Sequence, residues 1–318
     1  MASPFETYHD AEDLAEGLKS KDASERRVAV MELGDLGDPA AIALLAGALG
    51  DEDVGVRKQA AIALENFDGP EAAAALAKAI LDPDAVVAKA AANSMAELKD
   101  SYSAASLLPL VANASAFVRA AALLALKELR NPVSLQPALL ALHDEDAEVR
   151  VQAVGVIGYL KLEETAPALI AATQDADAGV RRAAVSALAF SKTPRHLDAI
   201  RRALLDPEWS VREIAAETMG RFASGQSAAV DLIAVLGDPF WQVRLKAVRS
   251  LGQLKAHAAV TGISEALTHD QANLRKEAAA ALGEIADISA REPLLAAADD
   301  PDPDVRKNVK WALTRLVT

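Results

Sequence analysis

The chain has 318 residues, no cysteine and a formal net charge of −13; 52% of it is hydrophobic but only 4% aromatic. The missing cysteine excludes disulfides, thiolate metal sites and cysteine nucleophiles, and the acidity excludes a general nucleic-acid or anionic-membrane binder. No run of 18 apolar residues occurs and residues 1–10 lack the basic and apolar regions of a signal peptide, so the expectation is a cytoplasmic protein without membrane contact.

In chain order, the apolar spacing predicts pairs of helices. Between Asp51 and Asp82, residues 54–66 place Val56, Ala60, Ala61 and Leu64 on one helical face behind the capping residue Asp53. Phe67-Asp68-Gly69-Pro70 breaks the chain, and residues 71–81 form the next helix with Leu76 and Ile80 inward. The pattern predicts ten such pairs, with first helices near 8–20, 38–50, 70–81, 102–112, 132–143, 164–174, 194–205, 227–237, 258–268 and 289–298.

The second helix of each pair carries a register. Arg26, Arg57, Arg119, Arg150, Arg181, Arg212, Arg244, Arg275 and Arg306 recur at 31 residues, or 32 at one step, with Ala88 on the single empty rung. A small or β-branched residue follows three positions later, from Ala29 to Val309, and a large apolar residue seven positions later, from Leu33 to Leu313. A strict period over ten units defines a repeat array, which grows by stacking, so residues 1–318 read as one array. These second helices are called ladder helices. In most units an acidic residue stands four positions before the Arg, as in Asp22, Asp53, Asp146, Asp177, Glu208 and Asp302. An Arg near a helix start opposes the helix dipole, and pairing with acids of its own or an adjacent turn offsets that. By the same logic Asp84 would receive an arginine restored at Ala88, and Ser115 marks a missing acid in the following unit.

The signature of Asp177, Val180, Arg181, Ala184, Ala187 and Leu188, repeated by Leu274, Arg275, Ala278, Ala281, Leu282 and Gly283, resembles the HEAT family, within it the short regular class of phycobilisome (bilin) lyases. The resemblance covers roughly residues 8–317 and implies an all-α, right-handed α-solenoid. It also implies that ladder helices form a concave surface, with exposed sites three and two residues before the Arg and one and five after it.

The residues give no sign of catalysis, cofactor or metal. His9, His143, His196, His257 and His269 have no pair at helical spacing. Deoxyhypusine hydroxylase, built on similar repeats, uses His-Glu pairs, and this sequence has none. Asp299 to Asp304 lacks the glycine and closing glutamate of a calcium loop. A third comparison is with HEAT-like DNA glycosylases, which place Trp and a carboxylate on the concave face. Trp209 and Glu213 fit that description, but the basic groove such an enzyme needs for phosphates is missing.

Since packing fixes the repeated positions, the varying ones carry the information. Three residues before the Arg, Trp209 and Trp241 replace small residues or Pro in adjacent units, which places the two indoles close together. The expected groove has an apolar middle of Phe117, Ala120, Leu124, Val151 and Gly155, continuing to Trp209, Glu213, Glu217, Trp241, Leu245 and Arg249. Basic residues flank it: Arg27, Lys58 and Lys89 on one side, Lys276 and Lys307 on the other. Gly155 inside a helix would let another backbone come close. The reading is a non-enzymatic scaffold holding a protein partner, a helix or extended segment with apolar anchors and acidic flanks. The alternative implied by the resemblance is a bilin-lyase-like or cofactor-assembly chaperone subunit.

Overall fold

The computed structural model describes residues 11–189, 194–222 and 226–316, which contain helices and no strand. They fall into two compact units, Met1–Leu160 and Lys161–Thr318. The first unit holds five helix pairs: α1 (Ala11–Gly17) with α2 (Ala23–Leu36), α3 (Ala41–Ala48) with α4 (Val54–Ala63), α5 (Pro70–Ala79) with α6 (Ala85–Ala96), α7 (Ala104–Leu107) with α8 (Ala116–Leu129), and α9 (Leu135–Ala141) with α10 (Ala147–Leu160). The second holds five more: α11 (Ala166–Ala172) with α12 (Ala178–Leu188), α13 (Pro194–Ala203) with α14 (Trp209–Phe222), α15 (Gln226–Ala234) with α16 (Trp241–Gln253), α17 (Val260–Glu265) with α18 (Ala272–Ile285), and α19 (Arg291–Ala296) with α20 (Pro303–Arg315). His9 lies outside the described residues.

Each pair exists because neither helix buries its apolar stripe alone. In the first unit ladder helices stack in the order α2, α4, α6, α8, α10; in the second the order is α12, α14, α16, α18, α20. The residues three after each rung, Ala29 through Val309, are all buried. So are those seven after it, except Leu313, which no described ladder helix follows. Eight after the rung, Gly34, Gly220 and Gly252 let neighbouring ladder helices touch: a Cβ on Gly34 would come 2.8 Å from the Cβ of Ala63, and one on Gly252 would come 2.9 Å from the Cα of Ala281.

Aspartates four residues before the rung positions are helix caps. Asp53 accepts from the backbone N–H of Val56, Asp84 from Val86, Asp177 from Gly179 and Val180, and Asp302 from Asp304 and Val305. Each satisfies donors that the first turn leaves open.

Candidate interaction surface

The arginine ladder is a set of bonds between consecutive pairs. Arg26 Nε and Nη2 donate to Asp51 at 2.7 and 2.8 Å, and its Nη1 donates to the carbonyl of Ser20. The same fork joins Arg57 to Asp82, Arg119 to Asp144, Arg181 to Asp206, Arg212 to Asp238 and Arg275 to Asp300. The acid therefore lies about one repeat later in the chain, and the acid four residues earlier receives no rung. Each rung Asp also accepts the backbone N–H two residues on, as Asp51 does from Asp53 and Asp238 from Phe240.

The fork sets the protonation of the acids. The Arg26 hydrogen bonds hold Asp51 below the usual carboxylate range, against a smaller upward push from burial. At Asp206 and Asp238 burial pushes upward most, and the bonds from Arg181 or Arg212 and from backbone N–H groups together outweigh it.

Arg306, which no described helix pair follows, donates only to the carbonyls of Asp300 and Pro301, and two interior positions, Ala88 and Arg244, depart from the pattern. Ala88 is buried, and the position 25 residues on is Asn113, whose Oδ1 keeps the turn bond to the Ser115 backbone N–H. Cation and anion have gone together, so Ala88 matches Asn113; Ser115 only stands at the cap position and makes no side-chain cap bond. At the other departure Arg244 faces His269.

The expected groove residues divide between the two units. In the first, Phe117 is exposed and Ala120, Leu124, Val151 and Gly155 are half-buried. The space above Gly155 holds a neighbour's side chain: a Cβ there would lie 2.9 Å from Cδ of Lys127. The Lys127 ammonium and the Arg130 guanidinium both stand over the Tyr159 ring, at 5.5 and 5.1 Å. Arg27, Lys58 and Lys89 are exposed, and the residues three and four positions away on their helices include no acid. Exposed Met31, Val54, Ile62 and Val86 lie among them.

In the second unit Trp209, Glu213, Glu217, Trp241 and Leu245 are half-buried and Arg249 is exposed. The ring stacked on Trp209 is Phe240, with centroids 5.5 Å apart and planes 14° from parallel. Arg212 lies 5.7 Å over the same Phe240 ring, so the aromatic pair covers the Arg212–Asp238 rung. Sequence reasoning places Trp209 with Trp241 and notes Phe240 only as a neighbour of Trp241 that is hard to bury beside it, without pairing it with Trp209. The overlooked signal was that Phe240 occupies the capping position of α16, two residues after the rung acid Asp238.

Charges on this unit's ladder helices pair among themselves. Glu217 accepts from Lys246 and Arg221, both at 2.6 Å, Arg249 forks onto Glu277, and Lys276 meets Asp304 at 2.8 Å. Lys276 is thus neutralised, and the second basic flank is weaker than the sequence suggests. Among the described residues no group of three or more metal-ligating side chains forms, and no helix is long and apolar enough to cross a membrane.

Stacked helix pairs with interlocking ladder residues define an α-solenoid repeat protein. The family model for HEAT repeats matches residues 11–96, 136–220 and 229–314, and the chain belongs to the HEAT-repeat family. The match is to the repeat itself and carries nothing particular to phycobilisome lyases. Importin beta is similar over 97% of this chain and 50% of its own, at 17% identity and a TM-score of 0.60. Kap121p is similar over 96% and 41%, at 14% identity and 0.64. YibA of E. coli is similar over 94% and 98%, at 19% identity and 0.53. The chain spans half or less of the first two, and these likenesses concern the fold alone. No curated protein matches in sequence.

Proposed function

We propose that this protein is a non-enzymatic scaffold that binds a protein partner along its ladder helices. The observation that carries the reading is the row of Arg27, Lys58 and Lys89, three exposed cations at one repeat position on α2, α4 and α6. In a chain of net charge −13 such a row has a local purpose. Exposed Met31, Ile62 and Phe117 supply apolar contacts beside it. A helix or extended segment bearing acidic residues and a few large apolar ones complements both features. Three cations among apolar side chains are too few for the phosphate contacts of a nucleic-acid site. A solved structure of similar fold, Kap95p at a TM-score of 0.63 and 16% identity, describes binding to RanGDP, which supports a binding role for such arrays.

The test is binding of a fluorescent acidic amphipathic peptide to the parent and to the Arg27→Glu/Lys58→Glu/Lys89→Glu variant. Affinity should fall at least tenfold in the variant, and in the parent it should weaken with salt. Equal binding by both, or binding of an oligonucleotide that displaces the peptide, would remove this reading.

A further inference from the structure

Of the two departures from the ladder, one leaves nothing behind and the other leaves an unmet charge. Ala88 and Asn113 lack both ends of the rung. At Arg244 the cation stays while the anion is replaced by His269.

His269 takes over one half of the aspartate's work. Its Nδ1 accepts the backbone N–H of Gln271 at 3.0 Å, as Asp238 does for Phe240. An accepting Nδ1 carries no proton, so the neutral ring carries its proton on Nε2. That Nε2 lies 2.6 Å from Arg244 Nη2, which is always a donor. Donors thus face both ring nitrogens, and a neutral imidazole accepts at only one of them. Arg244 Nε, which at the six complete rungs holds a carboxylate oxygen, is buried and has no hydrogen-bond partner. A buried unsatisfied donor of a charged group is costly and calls for a specific explanation.

Space lies beside it. A cleft of about 380 Å³ is lined by Arg244 and His269; Leu236 is half-buried at its side, while Val248 and Leu274 are buried behind it. Its volume falls in the range of small-molecule sites, roughly 300–1,000 Å³. Glu265 and Asp270 also line the cleft, and both residues are exposed. Their negative charge disfavours a multiply charged anion such as phosphate more than a singly charged one.

We propose that this cleft binds a small monocarboxylic acid with a short apolar chain. The carboxylate takes the bonds that aspartate takes elsewhere on the ladder, from the Arg244 guanidinium, and accepts the Nε2–H of His269. The short apolar chain lies against Leu236. Ligand binding then completes the link between the first turn of α16 and the turn that precedes α18, so the occupied protein is stiffer at this junction. The inference does not depend on the scaffold reading.

Butyrate is the probe, with butyramide and phosphate as controls, in chloride-free buffer. Calorimetry and thermal unfolding should show saturable butyrate binding and a rising melting temperature in the parent, and neither effect with butyramide or phosphate. His269→Asp supplies the carboxylate from within: it should melt higher than the parent without ligand and lose butyrate binding. Arg244→Gln should lose binding as well. Absence of saturable butyrate binding in the millimolar range, equal binding of butyramide, or unchanged butyrate binding by either variant would overturn the proposal. So would loss of binding on neutralising Glu265 and Asp270 together, since that change should strengthen it.

Discussion

Completing the rung at Ala88 tests whether the ladder works as a set of pairs. In the intact unit before it, Arg57 makes two charge-assisted bonds to Asp82, of 2.7 and 3.1 Å, and two further bonds to the carbonyls of Asp51 and Glu52. An arginine at position 88 would find the matching carbonyls of Asp82 and Pro83, six and five residues back. It would not find a carboxylate, because Asn113 presents an amide and Asp84 is occupied in capping α6. Ala88→Arg alone therefore costs about 1–2 kcal/mol for a partly buried cation without its anion, and Asn113→Asp alone costs a similar amount. The double variant regains two charge-assisted bonds, which gives a coupling of about 2 kcal/mol and a stability near that of the parent.

Thermal and urea unfolding of the four proteins provide the cycle. A loss of 1 kcal/mol lowers the melting temperature of an array this size by about 2–4 °C, so the single variants should melt visibly below the parent and the double variant should recover. Equal urea slopes would show that the unfolding unit is unchanged. A double variant that melts no higher than the sum of the single effects would refute the assignment of position 113 as the partner of position 88.

Other consequences follow from the same geometry. Gly220→Ala drives a Cβ into Ser250, whose hydroxyl bonds the carbonyl of Ala216, and should cost about 1–3 kcal/mol in urea unfolding; a second change, Ser250→Gly, should restore part of it. Ala286 ends α18 with φ 57°, a conformation that costs an L-residue roughly 1–2 kcal/mol, so Ala286→Gly should raise the melting temperature. Burial, and then Arg244, hold His269 below the usual histidine range. The unfolded chain therefore binds this proton more readily, and the stability involved is complete above about pH 6.5 and is lost as pH falls from there toward the folded pKa. Parent and His269→Asp should diverge in melting temperature over that window, with the parent falling further. Trp209→Ala removes the stack on Phe240 and should cost about 0.5–1.5 kcal/mol of stability in addition to any effect on partner binding.

The repeat was legible in the sequence because packing enforces it locally. Ala60 and Leu64 sit on one helical face, three and seven residues after Arg57, and burial constrains both, so the period survives and the helix boundaries follow to within a few residues. The acid four residues before the arginine was equally visible, but its meaning was not. A spacing of four along one helix suggests an ion pair. The backbone shows that Asp53 turns instead to the open N–H groups of its own first turn, while Arg57 reaches across to Asp82. A spacing of 25 carries no local signature; it becomes meaningful only once two pairs are stacked. The varying positions were harder still, because a small residue such as Gly155 can make room for a partner or for a neighbour's side chain, and here Lys127 occupies the room.

Knowledge of the true partner changes what an irregular rung means. Counted by arginines alone, unit three is defective and unit eight is normal. Counted by pairs, the judgement reverses. Ala88 and Asn113 leave no charge unmet, whereas Arg244 keeps a buried Nε without a partner, opposite a histidine that cannot accept at both nitrogens. Losing one partner of a buried ionic contact costs more than losing both, because the survivor keeps its desolvation penalty without its compensation. On that physical ground the eighth rung, which the sequence presents as ordinary, is less complete by itself than the third.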